Sequence, residues 1–528
     1  MSAVWLAPKF ERALAEKSLR QAQEMLRVQD YRRAQLMLEQ AVQSNPGDVE
    51  ARRQLARFYG DMNSPRALPF WRELVRMTPG DDTNQMGLAL CALRLGDLPT
   101  AREAAAGVTA AGRTTVEYHR LSAGIALRAG NQEVLNSEIA ELATLEPDNA
   151  RAQFNHAAIE LASGKAGAEA EARQELVALA RGKPLRIRAT LELMRYAGRT
   201  GAPFPALAEE LLPPRSEPSF VTWAMAPRGF FDLIVYMQGQ PNPEPEDAAL
   251  LADWLRRQGL AAEAAFWLGT LDQATQDDPQ LLSVRASCFV QTHDWVGLAA
   301  ALRQGAWGRM PEDIVNLAMA ARLQRERRHL DHARSTWVDA LDLSGANFES
   351  LRALLRLSEE LGWNEETENT LQRILKYNPR TTAAWQALAA IAVGAGATEK
   401  LLEIDTAWIK AEPEQSAPRS GQVWISALLR RPPPPGAGDP ANQMAPAFAA
   451  ARALTLHLEN HDDGAREVLA SLPETARDDR HVALVRGLVL ADRRQRADSE
   501  RALSLATAGP LLPEESLLVQ TAQALNRQ

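Results

Sequence analysis

Residues 21–46 read QAQEMLRVQDYRRAQLMLEQAVQSNP, and the fold is decided there. Two amphipathic segments of helical period are separated by a short turn at Gln29-Asp30. In the second segment Ala34, Leu38 and Ala41 recur at spacings of four and three, which places them on one helix face. Pro46 stops that helix, since proline lacks the N–H that the next turn needs. Small residues at Ala22, Ala34 and Ala41 let the two helices approach closely, and Tyr31 fills the wedge between them.

The same phrase recurs along the chain. Pro79 is preceded at the same offsets by Ala67, Trp71 and Leu74, Pro147 by Leu135, Ile139 and Leu142, and Pro184 by Ala172, Leu176 and Leu179. Further on, Pro379 follows Thr367, Leu371 and Ile374, and Pro413 follows Leu401, Asp405 and Trp408. The proline spacings of 33, 68 (twice 34) and 34 define a repeat of helical hairpins. Turn residues fall between the paired helices at Gly96-Asp97, Gly130-Asn131, Gly164, Gly259, Asp294-Trp295, Gly362 and Gly396.

This pattern resembles the tetratricopeptide repeat family over most of residues 15–415, with weaker hairpins to 508. Leu replaces the small residue at 135 and 401, and short insertions widen the units around 165–170 and 324–330. The resemblance implies an all-α, right-handed α-solenoid whose first helices line a concave groove that commonly binds peptides or extended segments of partner proteins.

Composition breaks divide the array into two arms. After a lead-in (1–14), hairpins occupy 15–213; residues 214–246 form a connection rich in proline and aromatics; hairpins resume over 247–415. Within the connection Phe220, Trp223, Phe230, Phe231, Ile234 and Tyr236 would each cost about 1.5–3 kcal/mol to leave in water. They are expected to pack on neighbouring helices, with a docking patch as the competing reading. A proline-rich spacer (416–444) precedes the last hairpins (445–528), whose final helix from Pro513 is expected to cap the stack.

The 528 residues are 46% hydrophobic and 24% charged, with mean hydropathy −0.29 and net charge −8. This is globular composition, too acidic for a general nucleic-acid binder. Only seven of the 59 cationic side chains are lysines, and the arginine and alanine bias looks like that of a GC-rich bacterial gene. Two cysteines, Cys91 and Cys288, exclude a disulfide framework and read as buried packing residues. No run of apolar residues is long enough to span a membrane, so the chain reads as soluble and cytoplasmic. The abrupt start at Met1-Ser2-Ala3-Val4-Trp5 is what removal of an N-terminal anchor would leave, in which case the protein is extracytoplasmic.

Catalytic patterns are missing from the sequence. There is no Walker-type phosphate loop, zincin motif, nucleophile elbow or dinucleotide fingerprint. His457 and His461, followed by Asp462 and Asp463, have metal-ligand spacing, but Asp462-Asp463-Gly464 is also what an interhelix turn requires. His329 and His332 read as cap or surface residues. No metal, cofactor or small-molecule substrate is expected.

With this helix phasing, the concave positions of the first four hairpins carry seven arginines against four acids, an excess of three positive charges in an acidic chain. Arg20, Gln23, Arg27, Arg53, Gln54, Arg57, Arg94, Arg120 and Arg128 are the candidate partner-binding residues, suited to carboxylates on an acidic segment. Relatives that grip a terminal carboxylate use Lys and Asn at positions where Leu19, Gln23, Gln54, Thr83 and Gly87 stand here, so that specific activity is not expected. The chain therefore reads as a non-enzymatic scaffold that binds a partner protein or peptide; the competing reading is a substrate-recognition or regulatory subunit of an enzyme complex.

Overall fold

The computed structural model describes residues 3–212, 229–432 and 446–527, except 29, 63, 65, 165, 183, 414, 415, 473–475, 477 and 478; the side chains of 3–12, 166 and 416 are also outside the description. Among the described residues there is no strand. The proline phrase shows why hairpins form. Proline ends one helix and a polar residue two positions on caps the next: Asp48 after Pro46, Asp81 after Pro79 and Asn149 after Pro147 each accept two backbone N–H bonds. The turn inside the hairpin repeats the device, with Asp30, Asp97, Asn131 and Asp294 capping second helices. Gly130 takes φ +68° just before Asn131, a left-handed conformation that glycine adopts without steric cost.

The first of two units runs from Met1 to Leu251. Its hairpins are Ala3–Arg27 (α1) with Tyr31–Ser44 (α2), Val49–Asp61 (α3) with Ala67–Met77 (α4), Asp82–Arg94 (α5) with Leu98–Ala106 (α6), Val116–Ala129 (α7) with Gln132–Leu145 (α8), Ala150–Ser163 (α9) with Ala166–Arg181 (α10), and Arg186–Thr200 (α11) with Phe204–Leu211 (α12). Phe230–Gln238 (α13) follows, and the division falls inside Pro245–Arg257 (α14). Each second helix packs on its partner and on the next first helix, while α3, α5 and α7 also touch in sequence. Ala34, Leu38, Ala41, Ala67 and Leu74 are fully buried, as the phrase requires. Where Leu135 replaces the small residue, α8 buries only Ala143.

Ala252 opens the second unit. Ala261–Leu268 (α15) and the short Gln273–Gln276 (α16) precede Pro279–Thr292 (α17) with Trp295–Arg303 (α18), Glu312–Glu326 (α19) with Leu330–Ser344 (α20), Phe348–Glu360 (α21) with Asn364–Tyr377 (α22), and Thr382–Gly394 (α23) with Thr398–Ala411 (α24). The expected spacer 416–444 is helical over Ser416–Leu428 (α25), and its proline run lies outside the described residues. Pro446–Leu458 (α26) pairs with Asp462–Ala470 (α27), Arg480–Asp492 (α28) with Arg496–Ala506 (α29), and Pro513–Arg527 (α30) packs on both α28 and α29. One buried carboxylate fastens α30: Glu515 accepts from Trp424 Nε1 at 2.8 Å, Arg480 Nη2 at 2.6 Å and the Leu512 amide at 2.9 Å. The chain is thus an all-α solenoid of helical hairpins.

Candidate groove in the first unit

Three capped first helices build the candidate site. Asp48, Asp81 and Thr115 cap α3, α5 and α7, and residues spaced three or four apart on each then point to one cavity of about 530 Å³. Arg57 and Asp61 come from α3, Met86, Leu90 and Arg94 from α5, and Glu117 and Arg120 from α7. Leu90 is 43% exposed and faces the cavity. The floor is aromatic. Trp71 of α4 lies so tightly under Gly87 that a Cβ there would meet its ring at 2.4 Å, so glycine is what admits the indole. Cys91 also lines the floor, and burial pushes its thiol above the ordinary range, away from thiolate chemistry.

The arginines divide into two sets. Arg53 is turned into the repeat stack: its Nε donates to Asn84 Oδ1 at 2.9 Å, Nη1 to Glu50 at 2.8 Å and Nη2 to Asp81 at 2.7 Å. It thereby ties α3 to the cap of α5 and is only 18% exposed. Arg120 pairs with both oxygens of Glu146 at 2.7 and 2.9 Å, and Arg94 reaches Asp61 at 3.3 Å. Arg27 meets Glu24 on its own helix at 3.5 Å. Arg20, Arg57 and Arg128 are exposed and make no ion pair among the described residues. Of the nine residues expected from sequence, the cavity gathers Arg57, Arg94 and Arg120; Arg20, Gln23, Arg27, Arg53, Gln54 and Arg128 lie outside its lining. Gln23 and Gln54 instead face each other at 3.4 Å. The excess positive charge read from the first helices is therefore largely answered by acids that sit at caps and helix ends. Trp71 is buried at the core position that the repeat assigns it, and its ring also reaches the cavity floor beneath Gly87.

Elsewhere the described part of the aromatic connection packs inward. Ile234 is buried, the Tyr236 hydroxyl donates to the Ala180 carbonyl at 2.9 Å under the Arg186 guanidinium, and Phe230 meets Phe204 edge-on at 5.7 Å. Phe231 stays 68% exposed, while Phe220 and Trp223 lie outside the described residues. Cys91 and Cys288 are both buried, and burial raises the Cys288 thiol to about 12. His329 and His332 are exposed, with rings 6.2 Å apart. His457 Nδ1 lies 2.7 Å from Asp462 and 3.6 Å from Asp492, a residue the sequence did not place there; His461 points away, 3.8 Å from Glu459. No described helix is long and apolar enough to cross a membrane.

No protein-family profile and no characterised protein sequence matches the chain. Among solved structures it is similar to a chain in the structure of Naa15/Naa10 bound to HypK-THB, at 11% identity and a TM-score of 0.28, over 97% of this chain and 96% of that one. It is also similar to yeast Tom70, at 11% identity and a TM-score of 0.27, over 98% and 96% of the two chains.

Proposed function

We propose that this protein is a non-enzymatic interaction scaffold whose first unit binds an extended segment of a partner protein along the α3, α5 and α7 face. One observation carries the reading: a cavity of about 530 Å³ with an aromatic floor and an exposed leucine is framed by three successive first helices and rimmed by an arginine, Arg57, that has no ion pair among the described residues. Such a site offers an apolar anchor pocket beside a cation, the combination that concentrates binding energy in a few contacts. Arg57, with Arg20 and Arg128 along the same row of helices, favours an acidic partner, while the paired Arg53, Arg94 and Arg120 hold the wall in shape.

The test is affinity capture from the source cells with wild-type chain and with the variant Leu90→Asp/Arg57→Glu. Both substitutions are at exposed positions, so circular dichroism should be unchanged. Loss of a specific retained protein, later shown to bind the purified wild-type chain directly, supports the groove; equal retention and equal direct binding by both chains sinks it.

A further inference from the structure

A second cavity, of about 730 Å³, lies in the other unit and has a different construction. It is bounded by two second helices, α22 and α24, with the first helix α23 beneath. Leu375, Trp385, Leu388 and Ile404 form its apolar bottom, each less than 10% exposed. Trp385 offers no donor to an occupant there, because its Nε1 is bonded to the Pro379 carbonyl at 2.8 Å.

The rim carries Lys376, Lys400 and Lys410 against one acid, Glu403. Lysine is scarce in this chain, seven of 59 cations, and none occurs between residues 183 and 376. Three of the seven nevertheless surround one cavity to which arginine contributes nothing. The chemical difference matters: the planar fork of arginine turns readily onto neighbouring carboxylates, whereas lysine carries a compact, hydrated charge on an apolar stem that can lie along a greasy wall. Lys400 reaches across to Glu368 of α22 at 2.5 Å. Lys376 and Lys410 are exposed and make no ion pair among the described residues.

We propose that this cleft is a second docking site, which takes an acidic, amphipathic helical segment of a partner protein. The apolar side chains of the segment enter between α22 and α24, and its carboxylates meet Lys376 and Lys410. The apolar bottom selects an amphipathic segment over a single anion: Leu375, Trp385, Leu388 and Ile404 offer nothing to a hydrated anion, whereas they suit apolar side chains carried between Lys376 and Lys410. A lone phosphate leaves that apolar bottom uncovered, while the apolar face of an acidic amphipathic helix covers it. The site is independent of the first-unit groove, on other helices and with other cations.

The experiment measures fluorescence anisotropy of a labelled 14-residue Leu/Glu amphipathic peptide titrated with the whole chain. A Leu/Lys peptide of the same pattern and vesicles containing phosphatidylserine serve as further probes. Saturable binding of the Leu/Glu peptide, weakened about ten-fold or more by Lys376→Glu/Lys410→Glu and little changed by Leu90→Asp/Arg57→Glu, is expected. Binding should also weaken with added salt. The proposal is overturned if the chain does not bind the Leu/Glu peptide up to about 1 mM, if it binds the Leu/Lys peptide equally well, or if the lysine variant binds like wild type. It is likewise overturned if the vesicles bind through these lysines while the peptide does not. If the first-unit variant abolishes peptide binding and the lysine variant does not, the peptide sits in the groove, which supports that reading at the expense of this one.

Discussion

The groove of the first unit and the cleft of the second are both built on helical hairpins, but first helices frame the groove and second helices frame the cleft. In the groove, α3, α5 and α7 are successive first helices, and the cations between them are mostly arginines engaged by neighbours: Arg53 by Asp81, Arg94 by Asp61, Arg120 by Glu146. In the cleft, α22 and α24 are second helices, and the cations are lysines of which two have no described acid. Thus Arg53, Arg94 and Arg120 tie neighbouring helices together. The cations without an ion pair among the described residues include Arg20, Arg57 and Arg128 on first helices of the first unit, and Lys376 and Lys410 at the cleft of the second. Counting cations on a helix face consequently overstates the field that a ligand meets, because capping acids answer many of them.

The comparison can be broken hardest at Asp405, on the side of α24 that packs against α25. This aspartate takes a position that is apolar in other repeats, is 4% exposed, and lies so close to α25 that a Cβ on Gly421 would meet Oδ2 at 2.4 Å. Burial raises its carboxyl from 3.8 to about 7. Between those values the unfolded chain releases the proton while the folded chain keeps it, so this group's contribution to stability falls as pH rises from about 4 to 7. At 1.36 kcal/mol per unit the total is about 4 kcal/mol. Asp405→Asn should remove the trend and stabilise the second unit at pH 8 by up to that amount, read from thermal melts of both chains at pH 5 and pH 8. Equal pH dependence in the two chains would show that the residue does not titrate in this range.

A smaller effect sharpens the division between stitching and free cations. Arg53→Ala leaves Oδ1 of the fully buried Asn84 without its donor, removes the cation paired with Asp81, and should cost about 2–3 kcal/mol in denaturant unfolding. Arg57→Ala and Lys410→Ala remove side chains with no ion pair among the described residues, and should each change stability by less than about 0.5 kcal/mol. If all three substitutions cost the same, the two sets of cations are not distinct.

The fold was legible because a hairpin repeat writes itself in three local signals. Small and large residues at fixed offsets, the proline stop and the turn residues between paired helices all act within about one turn of helix, and the burial of Ala34, Leu38 and Ala41 follows from them. The groove was legible in outline, since phasing alone puts Arg57, Leu90 and Arg120 on one face. Which arginines remain free was not. That depends on contacts across repeats, such as Arg53 to Asn84 over a separation of 31 residues, for which a single helix has no periodic sign. The lysine cleft was hidden for a related reason: Lys376 and Lys400 belong to different hairpins, and only packing on α23 makes them neighbours. Their scarcity in the sequence was visible; their convergence was not.

The smallest expected effect concerns metal, and it decides whether the two units are alike in depending on side-chain pairs alone. His457, Asp462 and Asp492 bring one donor atom each within 4.8 Å of the others, where α26, α27 and α28 meet. Structural zinc sites use four protein ligands, and here the nearby histidine of the motif, His461, is directed at Glu459 instead. The imidazole also has a sufficient structural role, since its Nδ1 is 2.7 Å from the Asp462 carboxylate at the start of α27 and fixes the turn between that helix and α26. EDTA should therefore leave the melting temperature unchanged, and His457→Ala should cost about 1 kcal/mol equally with and without the chelator. A fall in melting temperature on EDTA treatment that zinc reverses in the wild type, and that is absent in His457→Ala, would make the cluster a metal site. The second unit would then owe part of its stability to an ion, and its energetics would no longer be comparable with those of the first.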